Sequence, residues 1–316
     1  MNWNKILYQS RELQLLGTLN GGQSFRWSYN NKNNEWTGVF AKTVWILHQD
    51  EESLQFKVIG SLLDEKNDYS KILENYFRLD IKLLDHYKMW SEQDEYFKTV
   101  CKQFYGLRML AQDPVENLFS FICSQNNHIT RISSLVEKLC KHYGERICDY
   151  DGATYYAFPV IEKLAETKVE SELRKLGFGY RAKFIQKSAA QIQEWGGETW
   201  LKGLQEMKYI EARQELMKLC GIGPKVADCI CLMSLNHLEA LPVDTHVYQI
   251  AAHHYLPHLR GKKTVTEKMY KEIGDHFRKI FGDMAGWAHT VLFCADLKKF
   301  QTETSIDEIK TKRRKK

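Results

Sequence analysis

The run Leu219-Cys220-Gly221-Ile222-Gly223-Pro224-Lys225 constrains this chain more than any other feature. It joins an amphipathic stretch over residues 209–218 to a second one beginning at Pro224. Gly221 and Gly223 allow positive φ and close approach of another backbone, and Pro224 suits the first position of a helix. The run therefore predicts two helices meeting at a tight corner. The N–H groups at the start of the second helix, with its dipole, form an anion site suited to phosphate. Alone, a Gly-x-Gly is an ordinary helix corner. Here it is followed at once by Lys225, and nineteen residues later by Pro242-Val243-Asp244.

Those two side chains turn a corner into candidate chemistry. A lysine at a helix N-terminus sits where the dipole favours anions; its amine, once neutral, is the nucleophile that imine formation needs. Asp244 precedes Thr245-His246-Val247-Tyr248 and can cap that helix. A carboxylate there can also stabilise a developing sugar cation or take a proton from the lysine.

The 316 residues allow two domains and a sizeable core. No apolar run reaches the length of a membrane span, and residues 1–5 read as neither a secretory nor an Arg-rich mitochondrial leader. The eight cysteines show no C-x-x-C and no zinc or iron–sulfur spacing, so free thiols are expected. The net charge is +5, but Lys310, Lys312, Arg313, Arg314, Lys315 and Lys316 supply six of the positive charges, leaving the remainder at −1. Overall charge therefore does not argue for nucleic acid, and any such case rests on local sites. The basic tail reads as a disordered segment and a nuclear address.

Along the chain, 24–27, 35–40, 43–47 and 53–58 are short aromatic or β-branched runs separated by Asn, Gly and acidic clusters. They predict an antiparallel meander, with helices near 69–79 and 92–104. From about 105 the pattern is helical: Asp113-Pro114 is a helix start, and further helices are expected near 129–143, 171–176, 181–195, 208–219, 224–235, 244–255, 264–280 and 285–298. The expected fold is α+β: an N-terminal antiparallel domain (1–104), a helical region (105–300) and a basic tail (301–316).

The corner and its aspartate resemble the helix-hairpin-helix DNA glycosylase superfamily. Asn20-Gly21-Gly22-Gln23-Ser24-Phe25-Arg26-Trp27, Phe119 to Asn127, Leu176-Gly177-Phe178-Gly179-Tyr180-Arg181-Ala182, Lys225 to Met233 and Gly286-Trp287-Ala288 with Val291-Leu292-Phe293 are similar to eukaryotic-type 8-oxoguanine DNA glycosylases. The likeness runs from about residue 5 to 300.

The resemblance implies that Lys225 attacks the deoxyribose C1′, expels the base and then permits β-elimination through its imine, while Asp244 stabilises the sugar cation. The nucleotide must leave the stack for either step. It further implies that the Gly22 carbonyl accepts from N7–H of 8-oxoguanine, which guanine lacks, a difference of about 1–3 kcal/mol. Cys229 and Phe293 would sandwich the flipped base, with Met233 in the same pocket. Asn126 would fill the vacated stack, Tyr180 would wedge beside it, and Arg181 and Arg131 would contact the orphan cytosine. His246 and the amides of the hairpin, including Gly221 and Gly223, would hold phosphate directly or through a monovalent or calcium ion. No cofactor or protein metal site is required. The expected partner is duplex DNA carrying 8-oxoguanine opposite cytosine, bound by a monomer with no membrane association, in the nucleus and, for some family members, the mitochondrion.

Two positions depart from the family pattern. His289 stands where a glutamine usually meets the base's Watson–Crick edge, and neutral histidine offers its acceptor and donor in a different geometry. Altered selectivity or a pH dependence between about pH 6 and 8 is expected from it. His128 replaces a more usual Asn, with little expected effect. The missing cysteine cluster disfavours the iron–sulfur glycosylases, and Lys225 disfavours the alkylation-repair branch. The rival readings are a glycosylase for another oxidised purine, such as formamidopyrimidine, and a non-catalytic DNA-binding protein.

Overall fold

The computed structural model describes residues 3–64, 66–262 and 264–297. The expectations for the basic tail fall outside these residues. Five antiparallel strands form one sheet in the order β1-β5-β4-β3-β2, with β1 Asn4–Leu7, β2 Trp27–Asn30, β3 Glu35–Phe40, β4 Thr43–Gln49 and β5 Ser53–Ser61. The central strand β4 carries the continuous apolar run Val44-Trp45-Ile46-Leu47, all buried, as expected for a strand covered on both faces. Trp36 of β3 lies opposite Leu47, and Val39 opposite Val44. Phe40 and Tyr76 stack with ring centroids 3.9 Å apart, bringing the Tyr69–Tyr76 helix onto the sheet.

Two expectations for this half change. Of residues 24–27 only Trp27 enters a strand, and β1 was not foreseen. The segment before Trp27 turns back because the Gln23 side chain donates to the Arg108 carbonyl at 2.9 Å and accepts from the Leu110 N–H at 3.0 Å.

The helical half holds the larger core, and the two cores divide differently from the expected residue ranges. Leu83, Tyr87, Trp90, Phe97 and Phe104 all pack in the helical core. The helix Leu83–Gln93, unforeseen, and Glu95–Val100 therefore belong to it physically. Another departure is the hairpin of β6 Arg146–Tyr150 and β7 Ala153–Tyr156 inside the helical region. Asp151 and Gly152 at its tip both have positive φ, the two-residue turn that Asp-Gly favours.

The halves are tied by Arg108, whose side chain is almost wholly buried. Its Nε donates to the Glu12 carbonyl, its Nη1 to the Arg78 and Ile81 carbonyls, and its Nη2 to the Glu12 carboxylate at 2.5 Å. That carboxylate also accepts from the Leu83 and Leu84 N–H groups at 2.9 and 3.1 Å. Next in sequence, the Leu107 carbonyl accepts from Trp287 Nε1 at 2.8 Å.

Glu12→Ala strands a buried guanidinium, and unfolding in urea is expected to show a loss of about 3–5 kcal/mol. A loss below about 1 kcal/mol would show that Arg108 does not depend on this partner.

Candidate active site

The hairpin forms as expected, from helices Tyr209–Leu216 and Pro224–Ser234. Its turn is braced by the Arg181–Glu194 helix. Gln191 accepts from the Cys220 N–H at 2.8 Å, and Ser188 Oγ donates to the Cys220 carbonyl at 2.8 Å. Gly221 has φ 84°, and the Phe184 ring lies where a Cβ would be. Both conformation and space demand glycine there. No side chain caps the Pro224–Ser234 helix at Gly223. Its first-turn N–H groups are thus left for a ligand or water.

Five chain segments, one of them through Phe121, converge beneath this helix start on a small cavity of about 60 Å³, well below the usual size of small-molecule pockets, about 300–1,000 Å³. Lys225, Cys229 and Met233 line it at helical spacing. His289 and Phe293 line it from the Ala285–Asp296 helix, also four apart. Gly21 and Gly22 supply a third wall, and Pro242 and Asp244 a fourth. The structure thus brings Gly22, Lys225, Cys229, Met233, Asp244, His289 and Phe293 into one space.

Lys225 Nζ sits 5.0 Å from the centre of the Phe121 ring, within cation–π range. Burial pushes the Cys229 thiol up to about 11, with neighbouring Lys225 pulling the other way; the thiol stays neutral beside the amine. Asp244 caps the Thr245–Ile250 helix by accepting from the Val247 N–H at 2.9 Å. Capping fixes the carboxylate on the pocket rim. Gly22 holds φ 86° with open space where a Cβ would point, so backbone conformation is what demands glycine there.

His289 is 4% exposed, and neither ring nitrogen has a hydrogen-bond partner. Burial pushes the ring down to about 4, opposed by the Asp244 carboxylate and the nearby Gly286 carbonyl. Burial thus favours the neutral imidazole in the free protein.

A groove opens from the cavity past Asn126, His128, Thr245, His246, Lys262 and Thr264. Asn126 has φ 46°, a conformation asparagine tolerates better than most residues. Arg181 is buried, not free. It donates to the Gln125 carbonyl through Nε at 3.2 Å and also through Nη2, and to the Asn126 carbonyl at 3.1 Å. In this state it shapes the Asn126 loop from within. Tyr180 is exposed and donates to the same Gln125 carbonyl at 3.2 Å. Arg131 is exposed, 3.4 Å from the Gly177 carbonyl. His246 Nδ1 lies 3.0 Å from Asp296, and its ring meets Phe293 edge-on at 5.8 Å. His128 caps the Ile129–Tyr143 helix through Nδ1.

Sequence reasoning gave no role to Phe121, under the lysine, to Gln23, which folds back the Gly22 loop, or to Gln125, which donates to the Gly221 carbonyl at 2.8 Å. All three lie in segments that carried the resemblance, and only tertiary contacts separate them from their neighbours. Among the described residues no cluster of three His, Cys, Asp or Glu side chains could hold a metal. No helix among them is long and apolar enough to cross a membrane.

Residues 5–118 match the 8-oxoguanine DNA glycosylase N-terminal domain, and residues 119–275 the HhH-GPD superfamily base excision DNA repair protein model. An N-glycosylase/DNA lyase of Saccharomyces cerevisiae is 36% identical across 98% of this chain and 90% of its own length. The N-glycosylase/DNA lyase OGG1 of Arabidopsis thaliana is 36% identical across 93% and 80%. The Clostridium acetobutylicum 8-oxoguanine glycosylase/lyase, solved with double-stranded DNA containing cytosine opposite 8-oxoG, superposes with a TM-score of 0.78 at 28% identity, covering 93% of this chain and 98% of that one. With both halves matched and the pocket assembled from both, the chain belongs to the 8-oxoguanine DNA glycosylase family of HhH-GPD base excision DNA repair proteins.

Proposed function

We propose that this protein excises 8-oxoguanine opposite cytosine in duplex DNA and then nicks the strand through a lysine imine. The observation that carries the reading is the meeting of Lys225 and Asp244 in one cavity directly below an uncapped helix start. A lysine that only bound phosphate would need neither the aromatic floor nor the aspartate. The neutral amine attacks C1′ as the C1′–N9 bond breaks, and the electron pair leaves with the base, which takes up a proton. Asp244 stabilises the positive charge on the sugar as it develops. Opening of the sugar ring gives the imine. Loss of a C2′ proton then expels the 3′ phosphate oxygen.

The pocket walls carry the groups an extruded base would meet, and the cavity of about 60 Å³ must open to admit it. Phe293 and Cys229 line the pocket from different helices, Met233 lies beside Cys229, and Gly22 presents backbone in place of a side chain. Stacking on Phe293 supplies about 1–3 kcal/mol. Asn126 and Tyr180 stand at the groove to fill the gap, and Arg131 to meet the orphan cytosine. Arg181 supports the loop and reaches the cytosine only by leaving the Gln125 and Asn126 carbonyls. The hairpin amides at Gly221, Gly223 and Lys225, with His246, hold phosphate. The chemistry needs no cofactor. A cation at the hairpin would add a phosphate bridge on turn carbonyls, of which those of Cys220 and Gly221 already accept from Ser188 and Gln125.

His289 supports a second reading, in which another oxidised purine such as formamidopyrimidine is the better substrate. Its two unpartnered nitrogens await one donor and one acceptor on a ligand.

Incubation with 8-oxoguanine:C, 8-oxoguanine:A and G:C duplexes in borohydride tests the assignment. A covalent adduct is expected on 8-oxoguanine:C alone, vanishing in Lys225→Gln. Asp244→Asn is expected to slow excision by about a hundredfold or more. An adduct that survives Lys225→Gln would overturn the lysine assignment.

His289 gives a separate expectation. A folded histidine held near 4 binds fewer protons than the unfolded one near 6.5, so its contribution to stability is present above pH 6.5 and lost as the pH falls towards 4. Urea unfolding of the free protein is expected to show about 3 kcal/mol of acid destabilisation over that interval, absent in His289→Gln. The same variant is expected to change the ratio of 8-oxoguanine to formamidopyrimidine excision; an unchanged ratio would remove His289 from lesion selection.

A further inference from the structure

One flank of the lysine helix, beside the stripe that lines the pocket, carries a buried carboxylate that the reaction does not touch. Asp228, three residues after Lys225, is fully buried. Its Oδ1 accepts from Tyr209 Oη at 2.8 Å and from Arg213 Nε at 2.9 Å, both on the first helix of the hairpin. Its Oδ2 accepts from Tyr270 Oη at 2.5 Å, on the Glu267–Phe281 helix. Burial and the Asp228 carboxylate push the Tyr270 hydroxyl far above its ordinary range, so it remains a donor. The same oxygen accepts from the Val243 N–H at 3.2 Å and lies 3.3 Å from the Leu241 carbonyl. Val243 immediately precedes Asp244. One hydroxyl thus joins the helix that carries the nucleophile to the turn that carries the aspartate. The Arg213 guanidinium lies 5.4 Å over the Tyr270 ring and closes the arrangement.

We propose that Tyr270 and Asp228 are positioning residues that set the separation of Lys225 and Asp244. A buried carboxylate with three donors has one arrangement that satisfies it. Any slide of the lysine helix against the Val243 turn breaks one of those bonds. Burial of Asp228 alone would be a fold device; the hydrogen bond to the residue next to Asp244 is what connects it to the reaction. The inference rests on the assignment of Lys225 and Asp244 made above.

Tyr270→Phe keeps the ring and removes only the bridging oxygen. Single-turnover excision of 8-oxoguanine:C is expected to slow by about tenfold or more, because a misplacement near 1 Å costs rate steeply. Affinity for an uncleavable lesion duplex is expected to stay within about twofold, since the hairpin and groove are unaltered. Asp228→Asn is expected to slow excision too, and the double variant to lose less than the product of the two single losses. If Tyr270→Phe melts earlier yet excises at the parental rate, the bracket is structural only and the proposal fails. Should Tyr270→Phe not fold, Arg213→Lys, at the exposed edge of the network, carries the same rate-against-affinity comparison. Full excision by Lys225→Gln and Asp244→Asn would instead bring down the underlying assignment.

Discussion

The buried guanidinium of Arg108 is the seam on which the rest of the molecule depends. The sheet and the helices have separate cores, and Phe25 of the sheet half helps to fix one against the other by packing edge-on against Phe121 at 5.6 Å. Arg108 also does so by bonding carbonyls at residues 12, 78 and 81 and the Glu12 carboxylate together. Its own carbonyl then accepts from Gln23, which sets the Gly21–Gly22 loop against the lysine helix. A charge buried this deeply is tolerable only with nearly every donor satisfied. That requirement is what makes the seam specific: a shifted sheet would leave carbonyls and guanidinium unpaired. The pocket wall contributed by the sheet half is therefore as well placed as the helical walls.

Helical periodicity does the remaining placement. Lys225, Cys229 and Met233 are spaced by four, as are His289 and Phe293, so each helix turns one stripe to the cavity. Asp228, three residues after Lys225, lies on the flank of the same helix, about 100° round from that stripe. The hairpin glycines set where the helix begins, and so how far Lys225 projects past the Phe121 ring.

Much of this was legible in the chain. The glycine corner, Pro224 at a helix start, Asp113-Pro114 and the aspartate cap at residue 244 are local devices, and local devices survive reading one residue at a time. What escaped was of two kinds. The β6–β7 hairpin had its signal in Asp151-Gly152 between Cys148-Asp149-Tyr150 and Thr154-Tyr155-Tyr156, overlooked among strong helical patterns on both sides. Strand β1 and the Leu83–Gln93 helix were missed because short or weakly patterned segments are decided by what they pack on. Other properties exist only in three dimensions. Nothing in the sequence shows that Arg181 turns inward onto carbonyls, that His289 lacks partners, or that Tyr270 meets Val243.

The inward turn of Arg181 also shows why the groove and the hairpin behave as one unit. Tyr180 packs edge-on against Phe184 at 5.5 Å, and Phe184 fills the space above Gly221. The Gly221 carbonyl accepts from Gln125, and the Gln125 carbonyl accepts from Tyr180 and Arg181. These contacts close a ring through the hairpin turn, the loop bearing Asn126 and the exposed tyrosine. Gln125, Tyr180 and Arg181 each satisfy a backbone carbonyl that would otherwise need water. Displacing the loop would therefore strain the hairpin turn, and fixing the turn would stiffen the loop. The hairpin turn and the Asn126 loop are thus mechanically joined, while the lysine helix passes from that ring down into the pocket.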